Sequence, residues 1–210
     1  MCWSATADLA VGAGITAVGV ACVARVRRAR DLPLAALPLL LGAHQIIESV
    51  VWRSGGGAGP ATLAWAVIAL PVLAVWVPFA VLLAAPPRSR RRLMVPAAIG
   101  LGTAAALSYV LIHRTVTAEI RGHTMGYALG LPHTPLFVAA YLLATVGALL
   151  IGGDPTVRLL GVVVAYGAVL CAVLWRLEFV STWCALAAVA SVLVLVWTRR
   201  LPAAHRPRTG

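Results

Sequence analysis

The chain contains no lysine: all seventeen of its basic residues are arginine. A seven-helix retinal protein needs a lysine amine for its Schiff base, so retinal is excluded as a cofactor. Charge of either sign is scarce, at 11% of residues against 61% apolar, whereas a soluble domain carries about a quarter charged residues. An ordinary water-soluble class is therefore excluded, and the lipid bilayer is the expected partner of most of the surface. Cysteine is sparse too. Cys2, Cys22, Cys171 and Cys184 show no CxxC spacing, so no zinc ribbon or c-type haem attachment motif is present. A divalent metal such as zinc would have to be held by distant segments. No basic stretch precedes the first apolar run, so a cleavable signal is not expected there and the run should stay as the first span. Cys22, in Gly19-Val20-Ala21-Cys22, lacks the aliphatic residue three positions earlier that a lipoprotein signal carries.

A span needs about 20 mainly apolar residues at ~1.5 Å rise each. Seven segments qualify, 5–25, 33–52, 62–85, 93–113, 135–151, 157–175 and 179–198. The expected fold is thus all-α, a single seven-span transmembrane helical bundle over 1–200, with a basic tail at 201–210. The fifth span is the shortest and the turn at Arg176-Leu177-Glu178 is tight, leaving a re-entrant hairpin open. Pro71 and Pro78 flank Trp76 in the third span and predict a kink, because each removes an amide proton from the helix ladder.

The net charge of +11 does not point to nucleic acid, since the arginines fall in short clusters between apolar runs. They read as topology signals. Arg25, Arg27, Arg28, Arg30, Arg88, Arg90, Arg91, Arg92, Arg158, Arg199, Arg200, Arg206 and Arg208 share one side. Only Arg53, Arg114, Arg121 and Arg176 share the other, and thirteen against four predicts an outside N-terminus and a cytoplasmic C-terminus. Trp3, Trp52, Trp65, Trp175 and Trp183 fall near the outer ends, as interfacial rings do.

The second span ends in His44-Gln45-Ile46-Ile47-Glu48-Ser49-Val50-Val51-Trp52. His44, Glu48 and Trp52 are four apart and line one stripe, with Gln45 beside it. Counted from Trp52, Glu48 lies ~6 Å and His44 ~12 Å below the outer interface. An intramembrane acid is costly and faces protein or trapped water. The pair can hold neighbouring helices by hydrogen bonds, or supply two of a metal's ligands, Cys184 being the candidate third. A Cys2–Cys184 disulfide is another possibility on an oxidising face. Asp8, Ser108, Tyr109 and Tyr141 also fall in the outer half, while the inner half offers little beyond Cys22, Thr103, Thr145 and Ser191. No polar path reaches the cytoplasm, which speaks against a channel. The connection 114–134 is long enough to act as a lid or to be a solvated loop, and His123, beside Gly122, is its candidate contact.

Met1-Cys2-Trp3-Ser4-Ala5, His44-Gln45-x-x-Glu48-x-x-x-Trp52, Trp76-Val77-Pro78 and Ser181-Thr182-Trp183-Cys184 resemble, end to end, an uncharacterised family of small bacterial multi-pass membrane proteins. Its members begin Met-Cys-Phe-Ser-Ala and carry Gln-Gln-x-x-Glu-Gly-x-x-Trp in the second span. Trp3, His44 and Ser49 depart from that pattern. The resemblance implies a multi-pass protein of the bacterial cell membrane and no particular activity. Similarity to seven-helix hydrolases of the alkaline ceramidase type stops at size, span number and a polar cluster, because the late HxxxH pair is missing.

The expected function is binding or sensing of a small molecule, lipid or metal in an outward-opening pocket bounded by spans one, two, six and seven. Its metal ligands would be His44, Glu48 and Cys184, and its ligand contacts Gln45, Trp52, His123, Ser181 and Trp183. A membrane-embedded hydrolase acting on lipid or envelope material is the alternative, with Glu48 as general base and Cys2 and Ser4 in the catalytic set. A transporter is a third. Nothing in the sequence sets an oligomeric state.

Overall fold

Ser4 starts the first helix by turning back on the chain. Its Oγ accepts from Ala7 N at 3.2 Å, filling one of the donors that a helix start leaves over. This helix, α1 (Ala5–Val23), stops at the first arginine cluster, where Arg25 Nη1 donates to the Ala21 carbonyl at 2.7 Å and a cation complements the helix dipole. The computed structural model describes residues 4–122, 124–131, 133–174 and 179–201, with the side chains of 171–174 and 179–184 outside that description.

The second apolar rod joins a 3₁₀ turn (Ala29–Asp31), α2 (Leu32–Ala35) and α3 (Leu37–Arg53). Pro33 and Pro38 stand in first turns, where no hydrogen bond is lost. The third rod runs through α4 (Pro60–Val67), a π-helical turn (Ile68–Val72) and α5 (Leu73–Ala84). The irregularity expected from proline is here, at Pro71, and takes the form of a widened turn. Leu73 N donates to Ile68 O across that turn, and the Tyr141 hydroxyl donates to Ala69 O at 2.8 Å. Pro78 lies inside α5 and is buried without interrupting it.

The fourth rod, α6 (Pro87–His113), starts well before the predicted 93, so Arg88, Arg90, Arg91 and Arg92 ride on its first turns. The connection 114–134 departs from the all-α expectation. It contains an antiparallel hairpin, β1 (Thr117–Arg121) and β2 (Thr124–Ala128), with Ala118 opposite Tyr127 and Ile120 opposite Met125. The hairpin forms because Gly57 and Ala118 exchange both backbone hydrogen bonds, at 2.7 and 3.1 Å, giving the ribbon an outer partner that no local pattern announces. Gly55, Gly56 and Gly57 all hold φ near +78°, which side chains strain against, and a Cβ on Gly56 would meet Ala118 O at 2.6 Å.

The last helices are α7 (Thr134–Ile151), α8 (Pro155–Leu174) and α9 (Phe179–Arg199). Asp154 Oδ1 caps α8, accepting from Thr156 N at 2.8 Å and Val157 N at 3.2 Å. Among the described residues, five rods are long and apolar enough to cross a membrane, Ala5–Val23, Ala29–Arg53, Pro60–Ala84, Pro87–His113 and Thr134–Ile151. The fully described apolar stretches of the last two helices, Pro155–Leu170 and Ala185–Arg199, are shorter. The turn at 176–178 and the tail from 202 lie outside the described residues.

Helix α1 packs chiefly on α3, α5 on α6, and α8 on α9. The α1–α3 contact is close because Gly12, Gly19 and Gly42 remove side chains from it: a Cβ on Gly12 would lie 3.0 Å from Gln45 Cβ, and one on Gly42 would lie 2.9 Å from Gly12 O. The main hydrophobic core, including Leu34, Val81, Leu93, Leu149, Leu160 and Trp197, lies toward the arginine end. Polar groups there turn back on their own helices, as Thr145 Oγ1 does on Tyr141 O at 2.8 Å and Ser191 Oγ on Ala187 O at 2.7 Å. The hairpin and the Gly55–Gly57 loop close the opposite end.

Candidate functional site

Toward the hairpin end the packing opens into a cavity of about 370 Å³. Most of its wall is apolar, from Leu41 on α3, Ala66, Ala69 and Leu70 on the third rod, Leu107 on α6 and Phe137 on α7. One strip of α3 is polar. His44, Gln45 and Glu48 all face the cavity, as positions i, i+1 and i+4 on one helical face do. Glu48 is fully buried, Gln45 is 2% exposed and His44 is 7% exposed, so bulk water does not solvate them.

Opposite this strip stands an aromatic wall. The His44 and Trp65 rings are 4.9 Å apart between centroids, tilted by 40°. Trp65 stacks on Tyr127 at 3.4 Å with 5° between planes. Tyr127 arrives through the hairpin register, Met125 and Tyr127 alternating onto one face of β2. The Trp65 indole N–H and the Tyr127 hydroxyl lie within electrostatic reach of the Glu48 carboxyl, and among the described residues neither has a hydrogen-bond partner. Burial first, and then the Glu48 and Asp8 carboxyls, push the Tyr127 hydroxyl above its ordinary range, so it stays protonated.

Behind the strip, Asp8 of α1 is fully buried and within electrostatic reach of Glu48. Gly12, one turn along α1, allows the approach. Among the described residues of the cavity wall, His44 Nε2, Gln45 Oε1, Trp65 Nε1 and the Tyr127 hydroxyl have no hydrogen-bond partner. A buried unpaired polar atom costs about 1–3 kcal/mol, so a native structure that keeps these four in one cavity wall invites a ligand at that wall.

The residues singled out from sequence divide accordingly. The structure brings His44, Gln45 and Glu48 together on the cavity wall. Trp52, half-buried, packs instead beneath the hairpin with Val51, Ala118 and Met125, its indole turned toward Asp8. Ser4 is exposed and occupied as the α1 cap. Tyr109 points away from the cavity and is 64% exposed, whereas Tyr141 lines it. Cys2 and His123 lie outside the described residues, and so do the side chains of Cys171, Ser181, Trp183 and Cys184, the last three on the first turns of α9. Among the described residues no three His, Cys, Asp or Glu side chains gather as a metal would require. His44 and Glu48 are two donors of suitable chemistry. The expected walls also change: the third rod, α7 and the hairpin line the cavity with α3, and α9 adds Ala187. Trp65 and Tyr127 were missed because their pairing spans distant segments. The weak signals were a tryptophan just inside a span and a tyrosine in a long connection.

Residues 1–209 match a family of unknown function, DUF6629, and the chain belongs to it. No curated protein and no solved structure matches the chain.

Proposed function

We propose that this protein is a seven-span membrane protein that binds or senses a small amphipathic molecule. In this reading the N-terminus is outside, the arginine end lies in the cytoplasm and the cavity opens toward the outer face. The carrying observation is the cavity itself: about 370 Å³, apolar on most sides, with buried His44 Nε2 and Gln45 Oε1 left unpartnered in its wall. Small-molecule sites combine an apolar lining with a few polar groups in this way. The largely apolar core at the arginine end supports binding or sensing over transport, because a transport path needs water access from both sides in turn.

A photoactivatable decanol bearing a diazirine on its chain tests the reading in native membranes. Labelling should be saturable and should map to the peptides around Leu41–Glu48, Trp65–Leu73 and Phe137–Leu142. Ala69→Phe, which fills the cavity, should abolish it while the protein still folds. Labelling spread evenly over all lipid-facing helices, or unchanged by Ala69→Phe, would refute the proposal.

A further inference from the structure

We infer that the cavity takes neutral single-chain amphiphiles whose head both donates and accepts hydrogen bonds, an unsubstituted carboxamide being the full match. The inference rests on the ligand-binding reading above and adds the chemistry of the head.

Among the described residues that line the cavity, the atoms left without a hydrogen-bond partner are His44 Nε2, Gln45 Oε1, Trp65 Nε1 and the Tyr127 hydroxyl. They are of both kinds. Gln45 Oε1 only accepts, and an indole N–H only donates. The Tyr127 hydroxyl can do either. So can His44 Nε2, which accepts when the neutral ring carries its proton on Nδ1 and donates when the proton is on Nε2. They also form one group. Gln45 follows His44 on α3, the His44 and Trp65 rings lie 4.9 Å apart, and Trp65 stacks on Tyr127 at 3.4 Å. His44, Gln45 and Trp65 are each more than nine-tenths buried, so bulk water does not satisfy them.

A buried polar atom left bare loses more than an ordinary hydrogen bond gains, so the best head is the one that leaves none. A ketone, ether or ester only accepts and leaves Gln45 Oε1 bare, whereas an ammonium only donates and leaves the Trp65 N–H bare. A carboxamide has two N–H donors and a carbonyl oxygen with two lone pairs. Its donors match Gln45 Oε1 and the accepting form of His44, and its oxygen matches the Trp65 N–H and the Tyr127 hydroxyl. A primary alcohol, with one donor, is a partial match, so a carboxamide should displace it. Size fits as well. At roughly 30 Å³ of liquid volume per water-sized group, the 370 Å³ of the cavity hold about a dozen non-hydrogen atoms, the size of decanamide and far below that of a two-chain phospholipid.

Competition against the decanol diazirine label tests the head with decanamide and 2-undecanone, which has the same shape with a methyl in place of the amide nitrogen. Compared at equal mole fraction in the membrane, decanamide should displace the label at least tenfold more strongly. Gln45→Leu should weaken decanamide at least fivefold and leave 2-undecanone unchanged, because only the amide donates to Gln45. Trp65→Phe should weaken both, because both present a carbonyl oxygen. Thermal midpoints check that each variant folds, and Tyr127→Phe, which keeps its ring, repeats the donor test independently of Trp65. Equal displacement by decanamide and 2-undecanone, or an equal loss of both in Gln45→Leu, would overturn the head assignment and leave the binding site standing. A label that never maps to the cavity would remove the site itself.

Discussion

Gln45 is a poor choice of residue for stability alone. Its side chain is buried with Oε1 unpartnered, and replacing such a group by an apolar one of similar size removes a penalty of about 1–3 kcal/mol. Gln45→Leu should accordingly hold or raise the thermal midpoint, by up to a few degrees, while weakening ligand binding. A fall in the midpoint, followed by scanning fluorimetry in detergent, would show that Gln45 serves packing. The opposite signs on stability and binding are what a functional residue produces. At this scale the α3 strip was legible in the sequence, because His44, Gln45 and Glu48 lie within five consecutive residues and helical geometry alone puts them on one face. Ser4, expected from sequence in a catalytic set, caps α1 in the structure, a role for which a serine just before an apolar run is well suited. Trp65 and Tyr127 could not be read, since sixty-odd residues separate two rings that stack in the fold.

The most extensive element contact is that of α1 on α3, and it depends on what is missing from Gly12, Gly19 and Gly42. Gly42→Leu would drive a side chain into Thr16 and the Gly12 carbonyl, and overpacking of this kind costs about 1–3 kcal/mol. The expected outcome is a lower thermal midpoint, together with weaker probe labelling, because α1 then no longer seats Asp8 beside Glu48. An unchanged midpoint would mean that the helices separate without penalty. The hairpin makes its own prediction. Tyr127→Ala removes a stacked pair, a contact worth about 0.5–1.5 kcal/mol beyond its buried area. Amide exchange over Thr117–Ala128 should quicken, whereas Tyr127→Phe should keep the protection. Equal exchange in wild type and Tyr127→Ala would show that the Gly57–Ala118 hydrogen bonds alone hold the ribbon. Rods of about twenty apolar residues were readable, as was the disturbance at Pro71. The hairpin was not: its strands are short, and the partner that steadies them is a glycine loop sixty residues earlier.

Across the whole molecule the main arginine clusters and the buried Asp8, His44, Gln45 and Glu48 fall at opposite ends. A reporter enzyme active only outside the cytoplasm should stay silent when fused after Leu201 and become active when inserted between Ser54 and Gly59. Activity at Leu201 would overturn the proposed orientation and would place the cavity on the other side. That asymmetry belongs to the sequence, because span length, charge bias and the i, i+4 strip are properties of neighbours along the chain, set by helix rise and by the cost of charge in lipid. The cavity belongs to the tertiary structure. Its apolar walls come from five separate helical segments and its roof from a hairpin, and whether a buried polar atom finds a partner is settled only when distant helices pack. The sequence by itself determined which residues had to be withdrawn from lipid, and packing alone decided that they would surround an opening of about 370 Å³ under Trp65 and Tyr127, since backbone periodicity sets the direction of a side chain and says nothing of what stands opposite it.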